Sequence, residues 1–435
     1  MLVEFKFKNF RSFKNEAYFS MKPSSLNGNN KNTILTNLKK IPQIYRTAGI
    51  FGANASGKSN IIKAFQLFKF LIKTSFKSEI NDLINEDRYV LDDENTHKPT
   101  SFEISFIYNN NLYKYGITYV PSEILKEFLT YTDISENGSA RENIVFLREA
   151  GKELKAKNIS QSWINELAPN RLFLSEIVNN RRSTDEHIMN TYNYIVNNIN
   201  VTNNNSSEKI SFEMLQGNEG QLIIDYIKEA DLGIEDISIK ELSPEDIMED
   251  IKNDKNKNSR DFAERLIKNI LSGEAKVFDI KVSHKTEQGI IKQCYLENES
   301  EGTKVFIAFA APIINTLRKG GVLFIDELDA SLHPHLVRYI INLFNNVNIN
   351  KNNAQLIFTS YAFYLMDGDA LSRDQIWFTN KNNNYWSSLH SLRDKNEKRK
   401  NKSFIDAYLN GLYGYTPNIN IENFVKLFNN YENNK

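Results

Sequence analysis

The sequence predicts an α/β fold with an antiparallel β subdomain and a mostly helical insertion. Three observations carry that reading. "RTAGIFGANASGKSNIIKAF" runs as a short apolar strand, a glycine loop and a helix. "GVLFIDELDASLHP" is a buried strand ending in acids. Between them, "SFEISFIY", "YKYGITYV" and "ILKEFLTYT" carry the β-branched and aromatic pattern of an antiparallel meander.

Taken in order, Val3, Phe5 and Phe7 alternate with Glu4, Lys6 and Lys8, a period of two that predicts a strand at the N-terminus. After the glycine loop, Ile61, Phe65, Phe68 and Ile72 recur at helical spacing, so an amphipathic helix is expected from Ser59 to about Thr74. From about Thr184 to Gly273 the pattern is helical, broken by polar loops such as "TNNNSSEK" and the charged "KNDKNKNSR", without sustained heptads. Strand alternation returns at "KVFDIKVSHK" and "IIKQCYL". "ESEGTKVFIAFAAPIINTL" reads as a polar entry into an apolar helix, and "AQLIFTS" and "DQIWFTN" as two further buried strands.

The glycine loop matches G-x-x-x-x-G-K-[ST] at Gly52, Gly57, Lys58 and Ser59. Glycines let the backbone turn so that several N–H groups face one anion. The following helix adds the positive end of its dipole. We therefore expect Gly52, Asn54, Ser56, Gly57, Lys58, Ser59 and Asn60 to bind a nucleotide, with Lys58 at the β- and γ-phosphates and Ser59 on Mg²⁺. In "VLFIDE" four apolar residues precede Asp326 and Glu327, which places both acids at the carboxyl end of a central strand. Asp326 is the expected metal ligand and Glu327 the expected base for an attacking water.

"DELDASLHP" is the run that follows the catalytic acid in ATPases of the ABC/SMC/RecF type, and "ESEGT" lies where their signature does. Together with "NFRSF", "GANASGKSN", "NNAQLIFTS", "RDQIWF" and "YLNGLYGYTP", these stretches resemble the stand-alone bacterial AAA ATP-binding proteins of the RloA/AbiL type, often called AAA family 15. The ATPase subunit of PARIS-type phage-defence modules looks similar. The likeness covers both ends of the chain and only loosely the span 184–275. It implies an ABC/SMC-like P-loop NTPase head with ATP and Mg²⁺ as cofactors, and a homodimer or higher homo-oligomer of heads with ATP sandwiched between them. It also implies a separate, nuclease-type effector in phage defence or abortive infection. By the same resemblance, Ser300 and Gly302 act on the γ-phosphate of the opposite subunit, Asp329 contacts that subunit and Arg11 touches nucleotide. Two plainer readings stay open: Ser300 as a helix cap, and Arg11 as an exposed arginine after an edge strand. The family usually has histidine where "FTSYAF" places Tyr361, and a phenol is not readily protonated near neutral pH. Tyr361 thus enters the expected catalytic set beside Glu327 and Lys58, with slow hydrolysis as the expectation. No Q-loop glutamine is recognisable.

The expected division is 1–183, an N-terminal ATPase lobe with Walker A and the meander; 184–275, the insertion; 276–395, a C-terminal lobe with signature, Walker B and switch strand; and 396–435, a tail. The formal net charge is zero, so nothing in the whole-chain charge indicates a DNA partner. DNA stays as the alternative, for an SMC/RecF-like ATPase in repair or maintenance. The single cysteine, Cys294, excludes an internal disulfide framework and fits a reducing compartment. The longest apolar run, Val305–Ile314, is too short to span a bilayer, and a cytoplasmic protein without a membrane partner is expected. Asp367 and Asp369 resemble a Toprim metal pair, but too little chain follows for such a domain. His333 and His335 lack further ligands nearby and read as structural. "TNKNN" lacks the aspartate of a guanine-reading motif, which favours ATP over GTP, and "KNEKRKNK" reads as a solvated basic loop.

Overall fold

Strand Leu2–Lys8 buries Val3, Phe5 and Phe7 and leaves the intervening charges at least partly in solvent, as its alternation requires. In the computed structural model it lies next to the edge strand Ala17–Ser20 in a seven-stranded antiparallel sheet. The order there is Lys155–Ala156, Glu142–Glu149, Glu123–Asp133, Asn111–Val120, Thr100–Tyr108, Leu2–Lys8, Ala17–Ser20. The expected meander is thus the centre of this sheet. The structure describes residues 1–24, 32–85, 87–133, 141–156, 159, 164, 166–203, 215, 217, 219–251, 257–272, 277–366, 370–382, 384–394, 404–413, 415–416 and 421–433. Asp367, Asp369 and the basic run at 395–402 lie outside them.

A second sheet has six strands in the order Ile199–Asn203, Val322–Asp326, Gln355–Thr359, Thr47–Phe51, Ile376–Lys381, Ser387–Ser391. All neighbours are parallel except the last pair. Strand Gln355–Thr359 therefore separates the glycine-loop strand from the acid-bearing strand. Helix Lys58–Thr74 fills the space between the two sheets. Its Ile61, Phe65, Phe68 and Ile72 are all buried, and the Phe65 ring lies 3.6 Å from Phe5 on one sheet and 4.2 Å from Phe324 on the other. Val322, Phe324 and Ile357 face this layer, while Leu323, Ile325, Leu356 and Phe358 face a second core with helices Glu301–Lys319 and Pro334–Asn345. The near-continuous apolar runs follow from burial on both faces. Gln355 also joins the sheets directly: its side chain accepts from the Leu2 N–H at 2.5 Å and donates to the Leu2 and Tyr45 carbonyls at 3.1 and 3.0 Å.

Two strands fall in the span expected to be mostly helical. Ile199–Asn203 is the parallel edge strand beside Val322–Asp326, and the preceding helix Glu186–Asn197 packs into the first core, with Tyr194 stacked 4.1 Å from Phe106. Ile234–Glu241 pairs with Phe278–Lys285, which pairs with Ile291–Tyr295, in a three-stranded antiparallel sheet. Among the described residues, helices Glu186–Asn197, Gly220–Lys228, Pro244–Ile251 and Lys257–Leu271 make up the helical part. Among the described residues no helix is long and apolar enough to cross a membrane.

Candidate functional site: a glycine loop facing three carboxylates

The loop after strand Thr47–Phe51 needs its glycines for both torsion and space. Gly52 has φ +148°, and a Cβ there would lie 2.5 Å from the Thr379 carbonyl oxygen. Gly57 has φ +110°, and its Cβ would lie 2.6 Å from Ser387 Oγ. Two of the expected loop residues support the loop. Ser56, buried, shares a 2.6 Å hydrogen bond with Thr379. Asn60 donates to Ser12 Oγ at 2.8 Å, and Ser387 donates to the same oxygen at 2.8 Å. Asn54 is exposed and Ser59 half-buried.

Lys58 is buried, and its ammonium donates to the Gly52 and Ala53 carbonyls at 2.8 and 3.0 Å. Burial pulls its pKa from the ordinary lysine value down to about 8, against the opposing pull of Glu327, Asp329 and Asp326. The same ammonium lies over the face of Tyr361. The backbone N–H of Tyr361 in turn donates to both carboxylate oxygens of Asp329, at 3.3 and 3.1 Å. Burial, then Glu327, Asp326 and Asp329, push the Tyr361 phenol up.

Thr359 organises the acids. Its hydroxyl donates to Asp326 Oδ1 at 2.6 Å and accepts from the Glu327 N–H at 2.7 Å, while its carbonyl accepts from the Leu328 N–H at 3.0 Å. Glu327 sits at φ +55°, a left-handed turn that starts directly after the strand. Lys58, Asp326, Glu327, Asp329 and Tyr361 are thereby gathered at the carboxyl ends of neighbouring parallel strands, where α/β sheets bind ligands. An amide-lined loop at a helix N-terminus suits a polyphosphate. The Ser59 hydroxyl and the Asp326 carboxylate are the hard oxygen donors that suit Mg²⁺.

Ser300 and Gly302 lie at the start of helix Glu301–Lys319. Ser300 is its N-cap, accepting from the Thr303 N–H at 3.1 Å. A Cβ on Gly302 would lie 2.5 Å from the Ser331 carbonyl oxygen, so the helix end packs closely on the turn after the acids. Arg11 is paired with Asp87, donating from Nε at 2.9 Å and from a terminal nitrogen at 2.6 Å. Within "NFRSF" it is Ser12 that touches the loop. His333 caps helix Pro334–Asn345, accepting from the His335 N–H at 3.3 Å.

Sequence reasoning passed over Thr359, Thr379, Ser12 and Ser387. For the two threonines a signal exists: "QLIFT" and "IWFT" end apolar runs in a hydroxyl, as "VLFID" ends one in an acid. For the two serines there is none, because only the fold brings residues 12 and 387 together.

No curated protein matches the chain. Solved structures similar in outline include the following two. One is an SMC head bound to the C-terminal winged-helix domain of ScpA, at 13% identity and TM-score 0.38, covering 90% of this chain and 97% of that one. The other is CbiO1 from Clostridium perfringens, part of the ABC transporter complex CbiONQ, at 10% identity and TM-score 0.27, covering 91% and 90%. Residues 48–360, well over half of the chain and including both the glycine loop and the acid-bearing strand, match the family described as "AAA domain, putative AbiEii toxin, Type IV TA system", and the chain belongs to that family.

Proposed function

We propose that the protein binds and slowly hydrolyses ATP as the sensor or regulator subunit of a bacterial anti-phage system, controlling a separate effector. The observation that carries the ATPase reading is the buried Lys58 ammonium in the field of Asp326, Glu327 and Asp329. One cation and three carboxylates leave net negative charge, which calls for a divalent cation alongside a polyphosphate. Lys58 holds the phosphates, Ser59 and Asp326 hold Mg²⁺, and Glu327 takes a proton from the attacking water. Held by Ser59 and Asp326, a Mg²⁺ ion would supply charge neutralisation at the phosphate oxygens. Ser300 and Gly302 of an opposite copy complete the site in a head-to-head homodimer, with Asp329 at the contact. The defence role is supported by the toxin and toxin–antitoxin terms in the family's description and by the resemblance to RloA/AbiL and PARIS ATPases; a cytoplasmic location goes with it.

The test is Glu327→Gln. With ATP this variant should accumulate a nucleotide-bound dimer on sizing and release little phosphate. Absence of added dimer would remove the sandwich or the base. Recovery of the native complex separates the roles: a regulator co-purifies with the product of a neighbouring gene, whereas a DNA ATPase shows salt-sensitive DNA binding and DNA-stimulated hydrolysis.

A further inference from the structure

Three side chains unused by the ATP site converge just ahead of Ser300. His284 and Cys294 come from paired strands Phe278–Lys285 and Ile291–Tyr295. The register sets Val282 opposite Cys294 and His284 opposite Lys292, so His284 and Cys294 are diagonal neighbours on one face. Glu299, at the end of the turn leading into helix Glu301–Lys319, folds onto that face. Glu299 Oε1 lies 2.7 Å from His284 Nε2 and 3.1 Å from Cys294 Sγ, and the three ligand atoms all lie within 4.8 Å of one another.

The histidine is oriented from behind. Its Nδ1 lies 2.8 Å from the Gly233 carbonyl oxygen, an atom that only accepts, so Nδ1 carries the hydrogen. Nε2 then presents a lone pair toward a carboxylate. Two acceptors at that separation need a positive charge between or on them, either a second proton on the ring or a metal ion. A backbone carbonyl behind Nδ1 is the arrangement that orients metal-bound histidines. We propose that His284, Cys294 and Glu299 form a three-ligand site for a divalent cation of the zinc class, with the fourth position open to water or another ligand. Nitrogen, sulfur and carboxylate oxygen is a zinc donor set, unlike the all-oxygen set at Ser59 and Asp326. Tetrahedral coordination spaces ligand atoms about 3.3–3.7 Å apart, so Glu299 has to back away by about half an ångström, while His284 Nε2 and Cys294 Sγ, within 4.8 Å of each other, draw toward that spacing by side-chain rotation. Bound there, the ion ties the hairpin to the segment entering Ser300.

The site is tested on the full-length chain, stripped with chelator and equilibrated with zinc chloride. We expect one zinc per chain by elemental analysis, and a thiolate-to-cobalt charge-transfer band when cobalt replaces zinc. Cys294→Ser should abolish the band, and Cys294→Ser or His284→Gln should weaken zinc binding on the order of a hundredfold. Lys58→Ala should retain zinc, which separates this site from the phosphate loop. Because Cys294 is the only cysteine, wild-type protein gives a reading without substitution: stoichiometric zinc should slow alkylation of its thiol at least tenfold. Unchanged alkylation, or equal zinc retention by wild type, Cys294→Ser and His284→Gln, would overturn the proposal and leave a protonated His284–Glu299 ion pair.

Discussion

The buried Lys58 ammonium lies 3.6 Å from the centroid of the Tyr361 ring, inside cation–π range, while the tyrosine itself stays exposed. With one partner exposed, such a contact stabilises by about 0.5–1 kcal/mol. By the resemblance drawn from the sequence, Tyr361 takes a place where histidine is usual, and its backbone N–H donates to Asp329. A phenol in that place can hold the lysine and donate a hydrogen bond, but it does not carry a proton to and from phosphate near neutral pH. Tyr361→His should therefore raise the single-turnover rate on the order of tenfold or more, while Tyr361→Phe, which keeps the ring, should change ATP affinity little. A single-turnover rate for Tyr361→His equal to wild type would remove the proposal that this ring slows hydrolysis.

Lys58 makes ATP binding proton-linked. Its pKa of about 8 lies below the ordinary lysine value of 10.5 because burial disfavours the ammonium. A bound triphosphate favours the ammonium and pulls the pKa back up. Above about pH 8 the free protein has begun to lose the proton that the complex retains. Affinity should then fall with rising pH by up to about tenfold per unit. Calorimetry at pH 9 in buffers of different ionisation heat should show proton uptake on binding, absent in Lys58→Arg. For folding the sign is opposite. Between pH 8 and 10.5 the unfolded chain binds more protons here, so this group's contribution to stability rises with pH.

Removal of the lysine is the blunter test of the phosphate loop. Lys58→Ala should lower ATP affinity by about a hundredfold or more, since a charged hydrogen-bonding group is lost at a buried site. Binding of a fluorescent ATP analogue reads this directly, with unchanged far-ultraviolet circular dichroism as the control.

Thr359 is the residue through which strand Gln355–Thr359 acts on the acids. Thr359→Val keeps the shape but removes both the hydrogen bond to Asp326 and the one from the Glu327 N–H. We expect about 1–3 kcal/mol of destabilisation from the orphaned groups. Hydrolysis should fall more than ATP binding does, because Lys58 is untouched. Thr359→Ser should restore both. Denaturant melts and phosphate release measured side by side check this.

Gly302→Ala should be poorly tolerated for a reason independent of catalysis. The added methyl meets the Ser331 carbonyl at 2.5 Å, and a backbone atom cannot rotate away. Overpacking of this kind costs about 1–3 kcal/mol. A melting temperature equal to wild type would show that the helix end is free to shift.

The glycine loop, the acid pair and the N-cap at Ser300 were legible because each is set by local chemistry: torsion, strand termination, capping. Strand Ile199–Asn203 was not. "INVTN" is short and polar, and it becomes a strand only because Val322–Asp326 offers it an edge. Ser12 and Ser387 were equally out of reach, since their contact joins residues from opposite ends of the chain. In "NFRSF" the eye goes to the arginine. The fold pairs Arg11 with Asp87 and leaves the serine beside the loop.

The near-touching of Gly302 and the Ser331 carbonyl also bears on timing. The turn that starts at Glu327 and the helix tipped by Ser300 pack directly on each other at Gly302 and Ser331. In a paired arrangement the first would serve a chain's own triphosphate and the second its neighbour's. A movement provoked on one side would then be felt across the seam, so firing in the two halves would be linked rather than random.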